Sequence, residues 1–208
     1  VNDVIATLGT KVIIGDSISF NDRRYIVSHN LFNSKFEMLV YHKPCGEIVT
    51  LKDNANRKTV FESLPSVSGK WINIGRLDLD TSGLLLFTNN GDIANKMMHP
   101  SSNISRTYEV LLKGSFTDIK KNKCLNGLDI GMSETGKFDS VEKCNTTANK
   151  YIITLKTGKN REVRRVFLTV NCTVINLKRI QYDNIKLDNL IVGEHRYLNE
   201  EEIKSLSM

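Results

Sequence analysis

Two carboxylates, Asp78 and Asp80, lie within the run Ile74-Gly75-Arg76-Leu77-Asp78-Leu79-Asp80-Thr81-Ser82-Gly83, and Leu84-Leu85-Leu86-Phe87 follows at once. A polar, glycine-bracketed loop that feeds a short apolar strand sits at the mouth of a core. An aspartate held there by packed neighbours is positioned for chemistry rather than merely solvated. The two acids also invite comparison with the carboxylate pair of glycoside hydrolases. The chain carries 29 Lys and Arg against 23 Asp and Glu, a net charge of +6. That balance does not suit a neutral sugar polymer and favours a polyanionic partner, either nucleic acid or an anionic membrane surface, with an ordinary basic soluble protein as the plain alternative.

The second reactive segment is Gly158-Lys159-Asn160-Arg161-Glu162-Val163-Arg164-Arg165-Val166-Phe167-Leu168-Thr169-Val170. On a helix, Val163, Val166, Phe167 and Val170 share one face, and Arg161, Arg164 and Arg165 share the opposite one. Asn160 is a candidate cap and Gly158 permits a tight entry. Three guanidinium groups on an anchored helix suit phosphate binding or neutralisation of a buried carboxylate; a solvated basic face is the plain alternative.

The elements that must hold these groups are short and mixed. Val12–Ile14, Ile18–Phe20 and Tyr25–Val27 read as strands of small hairpins around Gly15-Asp16 and Asn21-Asp22 turns, and 30–35 as a linker. Met38–Tyr41, Leu84–Thr88, Arg106–Leu112, Tyr151–Lys156, Thr173–Leu177 and Arg179–Tyr182 are strand candidates, with Tyr108, Val110 and Leu112 on one face. Helices are expected over Asp92–Met98, from a Thr117 cap through Cys124, over Asn160–Val170 and over Glu200–Leu206. Without a regular β-α-β rhythm the pattern is α+β. The expected division is 1–35 and 36–208.

No P-loop, G-x-G-x-x-G, H-E-x-x-H or G-x-S-x-G pattern is present, which argues against ATP, dinucleotide and zinc-protease chemistry. Cys45, Cys124, Cys144 and Cys172 form no C-x-x-C pair, and His29, His42, His99 and His195 do not cluster with them. Neither a zinc site nor a disulfide framework is suggested, and scattered thiols fit a reducing cytosol. No apolar run approaches a membrane span, and no secretory signal opens the chain.

The ordered motifs resemble those of RNA pseudouridine synthases, in particular the RsuA/RluB/RluE/RluF group that acts on ribosomal RNA. They are Gly75-Arg76-Leu77-Asp78, Thr81-Ser82-Gly83-Leu84-Leu85-Leu86, and Thr88-Asn89-Asn90-Gly91, joined by His42-Lys43-Pro44-Cys45-Gly46, His99-Pro100-Ser101-Ser102 with Arg106-Thr107-Tyr108-Glu109-Val110, and Gly158–Arg165. Leu177-Lys178-Arg179-Ile180 and Gly193–Leu198 resemble the group's last strands. The resemblance implies a pseudouridine synthase fold with a mixed, mainly antiparallel central sheet and flanking helices. It also implies isomerisation of a flipped-out uridine, with large-subunit ribosomal RNA favoured over small-subunit RNA. Asp78 would be the catalytic aspartate, Tyr108 the residue that stacks on the base, and Arg164 the counter-charge of Asp78. Arg76 would fill the space left by the flipped base, while Lys43, Arg106, Lys159, Arg161 and Arg165 would meet RNA. No metal or organic cofactor is expected, and the default is a cytoplasmic monomer. Ala6–Ile18 is similar to the end of an S4-type RNA-binding domain. A non-catalytic RNA-binding or ribosome-assembly protein that keeps the fold is the alternative, separable by tritium release from 5-tritiated uridine.

Overall fold

A computed structural model describes residues 1–28 and 35–206. All but Lys35 of the expected linker, and His29, fall outside them. The chain divides into two compact units, Val1–Phe36 and Glu37–Met208.

In the first unit β1 (Ser17–Phe20) and β2 (Arg23–Ile26) form an antiparallel hairpin. Asn21 and Asp22 connect them at φ of 49° and 58°. Two consecutive left-handed residues make a turn whose twist matches the strands, and Asn and Asp tolerate that region better than most side chains. Val12–Ile14 forms no strand. Asp16 takes over this backbone instead: its carboxylate accepts from Ile13 N at 2.8 Å and its own N–H donates to Ile13 O at 3.1 Å.

The second unit contains β3 (Met38–Lys43), β4 (Ile72–Ile74), β5 (Ser82–Thr88), helix α1 (Gly91–Met98), β6 (Arg106–Lys113) and helix α2 (Asp118–Asn126). It continues with β7 (Leu128–Asp129), β8 (Thr135–Gly136), β9 (Ser140–Lys143), β10 (Lys150–Leu155), helix α3 (Glu162–Thr169), β11 (Thr173–Tyr182), β12 (Ile185–Lys186), β13 (His195–Tyr197) and helix α4 (Glu200–Ser205). The main sheet runs β13-β3-β5-β11-β6-β10-β9, with β4 also on β5 and β12 also on β11. Of its pairings only β5 with β11 is parallel. The molecule is therefore α+β with a mixed, mainly antiparallel sheet.

Every residue of β3 is buried, as are six of the seven in β5, so these central strands carry apolar side chains on both faces. β6 and β10 alternate instead. Tyr108, Val110 and Leu112, and Tyr151, Ile153 and Leu155, turn inward beneath α3, whose Val163, Val166 and Phe167 are buried along with Val170 just past its end. Thr173–Leu177 and Arg179–Tyr182 are one strand, not two. Register shifts at Val174/Asn176 and Arg179/Gln181 interrupt the β11–β6 ladder, and such bulges break the two-residue period by which a strand is recognised.

The parallel seam between β5 and β11 rests on Gly83. Its φ is 108°, and a β-carbon there would lie 2.2 Å from the carbonyl oxygen of Arg179. Only glycine lets the two backbones approach this closely. The seam joins the end of the Asp78 loop to β11, which pairs in turn with β6 at Tyr108.

Candidate active site

The loop between β4 and β5, the strand β6, the turn before α3 and the segment 48–57 enclose a cleft of 1270 Å³. Asp78, Tyr108, Arg76, Arg106, Lys159, Arg161 and Arg179 line it. Apolar surface from Ile48, Leu77, Ile104, Leu155 and Leu177 is interspersed with these charges. A mostly apolar cavity with a few convergent polar groups and a cationic rim suits a planar base attached to an anionic backbone.

Asp78 keeps 32% of its side-chain surface exposed, and its Oδ2 lies 3.7 Å from Arg161 Nη1. Arg161 grips the neighbouring acid more closely: Nη1 and Nη2 donate to the two carboxylate oxygens of Asp80 at 3.0 and 2.9 Å. Arg164 Nη2 donates to the Asp80 carbonyl at 2.8 Å and stands 3.3 Å from Asp80 Oδ2, while Nη1 donates to Val174 O at 3.1 Å. The hydrogen bonds from Arg161, reinforced by the charge of Arg164, hold the Asp80 carboxyl below the usual aspartate range.

This arrangement departs from the expected pairing of Arg164 with Asp78. Arg161 faces Asp78, and Asp80, which the sequence reading left without a role, is the hub that both arginines share. The cause is local. Helix α3 begins at Glu162, and Arg161 precedes it in the left-handed region at φ 47°, so its side chain leaves from the helix cap rather than from the helix face. Asn160 is not the cap. Glu162 ties the turn down instead, accepting from Thr157 Oγ1 at 2.7 Å and Lys159 N at 3.0 Å.

Three other expected RNA contacts are committed elsewhere. Lys43 is fully buried, donating to Pro44 O at 2.9 Å and Thr81 O at 3.0 Å, so it braces the Asp78 loop and does not reach RNA. Burial pulls its ammonium pKa down. Arg165 turns away from the cleft to the loop between β7 and β8, donating to Ile130 O at 2.9 Å and Gly131 O at 2.7 Å and pairing with Glu134 at 2.6 Å. The ammonium of Lys159 bonds the Thr135 carbonyl. Arg76, by contrast, is exposed on the cleft wall.

Tyr108 is 9% exposed and pairs across the sheet with Arg179. Arg179 is itself buried, donating Nε to Leu84 O at 2.7 Å. Its guanidinium lies 5.1 Å from the centroid of the Tyr182 ring, and that of Arg106 lies 5.0 Å from the same ring. Arg106 Nη1 also donates to Ile104 O and Lys156 O, each at 2.7 Å. Two cations stacked on one aromatic ring thus stiffen the floor beside Tyr108.

Sequence reasoning missed the wall formed by residues 48–57. Buried Glu47 accepts from Tyr41 Oη at 2.6 Å and Ser63 Oγ at 3.1 Å and pairs with Lys58 at 2.7 Å, which fixes the base of that wall. Within it Asp53 accepts from the N–H and side chain of Arg57. An acid four residues before an arginine was the available signal. Among the described residues no group of His, Cys, Asp or Glu could hold a metal ion, and no helix is long and apolar enough to cross a membrane.

A family model described as RNA pseudouridylate synthase matches residues 37–169. The ribosomal large subunit pseudouridine synthase B of Xylella fastidiosa (strain Temecula1 / ATCC 700964) is 38% identical over 214 residues, covering 99% of this chain but 44% of that protein. The protein of the same name from Buchnera aphidicola subsp. Acyrthosiphon pisum (strain APS) is 37% identical, covering 98% of this chain and 86% of its own length. The chain thus spans less than half of the Xylella relative. A crystal structure of a pseudouridylate synthase superposes with a TM-score of 0.76 at 24% identity, over 96% of this chain and 84% of that one, a likeness of fold. The family match covers the strands and loops that build the cleft, from β3 through the Asp78 loop and Tyr108 to α3, and this chain belongs to the RNA pseudouridylate synthase family.

Proposed function

We propose that this chain isomerises uridine to pseudouridine in ribosomal RNA, with large-subunit RNA as the substrate. The observation that carries the reading is the Asp78 carboxylate, partly exposed in the cleft 3.7 Å from Arg161 and sharing that cleft with Tyr108. The relatives' names supply the substrate class.

The reaction breaks the C1′–N1 bond, rejoins the base through C5 and releases the C5 hydrogen as a proton, while N1, freed from the sugar, takes up a proton; the composition of the nucleotide is unchanged. Attack on C1′ and passage through a glycal both require a carboxylate aimed at the nucleotide, and Arg161 Nη1 stands 3.7 Å from that of Asp78. Tyr108 offers a stacking surface, with its hydroxyl as proton acceptor. The base must leave its stack to reach Asp78, and exposed Arg76 is the group to occupy the gap. Contacts to the RNA backbone from the cationic rim offset the few kcal/mol of unstacking. Arg164 acts at one remove, by holding Asp80 and through it the loop. No cofactor is required. We read residues 1–35 as a segment similar to the end of an S4-like RNA-binding domain followed by a linker, and the protein as a cytoplasmic monomer.

Tritium release from 5-tritiated uridine in a large-subunit ribosomal RNA transcript tests the proposal. The wild-type chain releases label, and Asp78→Asn releases none while its melting temperature and RNA binding hold. Wild-type turnover in Asp78→Asn overturns the assignment of Asp78. An inactive wild type that still binds the transcript favours the non-catalytic alternative.

A further inference from the structure

The segment 49–58 leaves the body of the fold and returns to a pinned point. Ile48 N donates to Lys58 O and Val60 N donates to Ile48 O, each at 3.0 Å, closing its ends. Below them Glu47, 3% exposed, holds Lys58, Tyr41 and Ser63. A compact loop with joined ends and internal hydrogen bonds is the kind of surface element that carries function.

The loop is organised by one side chain. Asp53, with 9% of its side-chain surface exposed, accepts from Arg57 N at 2.8 Å, Arg57 Nε at 3.1 Å and Arg57 Nη2 at 2.8 Å. Arg57 keeps 51% of its side-chain surface exposed, and both residues line the cleft. Asp53 therefore occupies the Nε–Nη2 edge of the guanidinium, the edge that would otherwise fork onto a phosphate. What Arg57 presents to the cleft is Nη1 and a flat cationic plane, held still by the loop.

We propose that Arg57, clamped by Asp53, is a stacking platform for an unpaired base of single-stranded RNA flanking the target nucleotide. Single-stranded RNA is commonly held by stacking its splayed bases on aromatic rings or arginine planes. Preorganisation is the source of affinity here, because the loop and the rotamer are ordered before RNA arrives. This inference rests on the proposed function only for the identity of the RNA.

The two ways in which Arg57 could meet RNA give opposite signs for one substitution. Asp53→Asn removes a negative charge, so a simple phosphate contact by Arg57 would tighten. A clamped platform would loosen instead. We expect Asp53→Asn, Arg57→Ala and Arg57→Lys each to raise KM for tritium release from the large-subunit transcript by about fivefold or more, with the effect on KM and not on kcat. The salt slope of binding stays as in the wild type for Arg57→Ala, since no phosphate contact is lost. An unchanged or lowered KM in Asp53→Asn, full rescue by Arg57→Lys, or a fall in the slope by about one unit in Arg57→Ala each overturns the proposal. Filter binding of the same transcript runs alongside. A wild type that binds but releases no tritium sinks the function, and the order of the variants' Kd values still decides the platform.

Discussion

Arg161 holds Asp80 through both of its terminal nitrogens, at 3.0 and 2.9 Å, and from that fixed position stands 3.7 Å from the Oδ2 of Asp78. Asp80 is thus the residue that fixes where Arg161 stands. Its carboxylate and main-chain carbonyl also take the guanidinium of Arg164.

Loss of this anchor misplaces Arg161 while leaving Asp78 in the cleft. Asp80→Asn is expected to lower kcat for tritium release by about tenfold, and Arg161→Ala by about a hundredfold, since an ångström of misplacement carries that cost. Single-turnover assays separate this loss from any change in binding.

The same pair sets a pH dependence. Arg161 is the first cause of the lowered Asp80 value, so Asp80 has a folded pKa below its unfolded one. Its contribution to stability is complete above the unfolded value and is lost as pH falls through the folded one. Wild type melts above Asp80→Asn at neutral pH, and the gap closes in the acid range. A gap that persists below the carboxylate range would show that the asparagine harms the fold by another route. Both partners are near half exposed, so the gap is small.

Much of the scaffold could be read from residue pattern alone, because burial repeats with the period of the element. The Leu84–Phe87 run, the alternation Tyr108, Val110, Leu112 and the spacing Val163, Val166, Phe167, Val170 all report a core that the structure contains. The partner of each arginine was not legible. Helical phase puts Arg161, Arg164 and Arg165 on one face, but the αL cap at Arg161 and the nearby β7–β8 carbonyls send the first two to Asp80 and the third to the β7–β8 loop. Short strands such as β7, β8 and β12 have two residues each, too few to show any period. The wall 48–57 contains no apolar rhythm, and its order comes from Asp53 and Glu47.

Gly83→Ala tests the seam between β5 and β11. The added carbon would meet Arg179 backbone at 2.2 and 2.6 Å, and alanine is strained at φ 108° in any surroundings. Neither backbone can yield without breaking sheet hydrogen bonds. A loss of about 3 kcal/mol or more is expected in urea unfolding, with activity lost in step because the seam links the Asp78 loop to β11 and so to Tyr108. A variant with wild-type stability would mean that the strands can part at no cost.

Glu47→Ala should destabilise the second unit although no apolar packing is removed. Tyr41 Oη is left buried without its acceptor, and Ser63 loses one as well. Lys58, largely exposed, returns to water. The expected cost is about 2 kcal/mol, read from urea midpoints at constant m-value. The base of the 49–58 loop should loosen first, so amide exchange at Ile48 and Val60 accelerates more than at β5.

Tyr182 separates hydrogen bonding from stacking at the floor of the cleft. Its hydroxyl donates to Met97 O at 3.0 Å and accepts from Arg106 Nη2 at 3.3 Å, while the guanidinium groups of Arg106 and Arg179 lie 5.0 and 5.1 Å from its ring centroid. Tyr182→Phe keeps the ring and loses the bonds, at a cost of about 1 kcal/mol. Tyr182→Leu also removes the surface on which both cations rest and leaves Arg179 buried without it, so a further loss of about 2 kcal/mol is expected. Thermal and urea unfolding of the two variants measure the difference. If leucine costs no more than phenylalanine, the stack contributes nothing and Arg179 is held by its bond to Leu84 alone. If it costs more, the ring is what packs Arg179, and kcat should fall in Tyr182→Leu but not in Tyr182→Phe, since Tyr108 lies directly across the strand pair from Arg179.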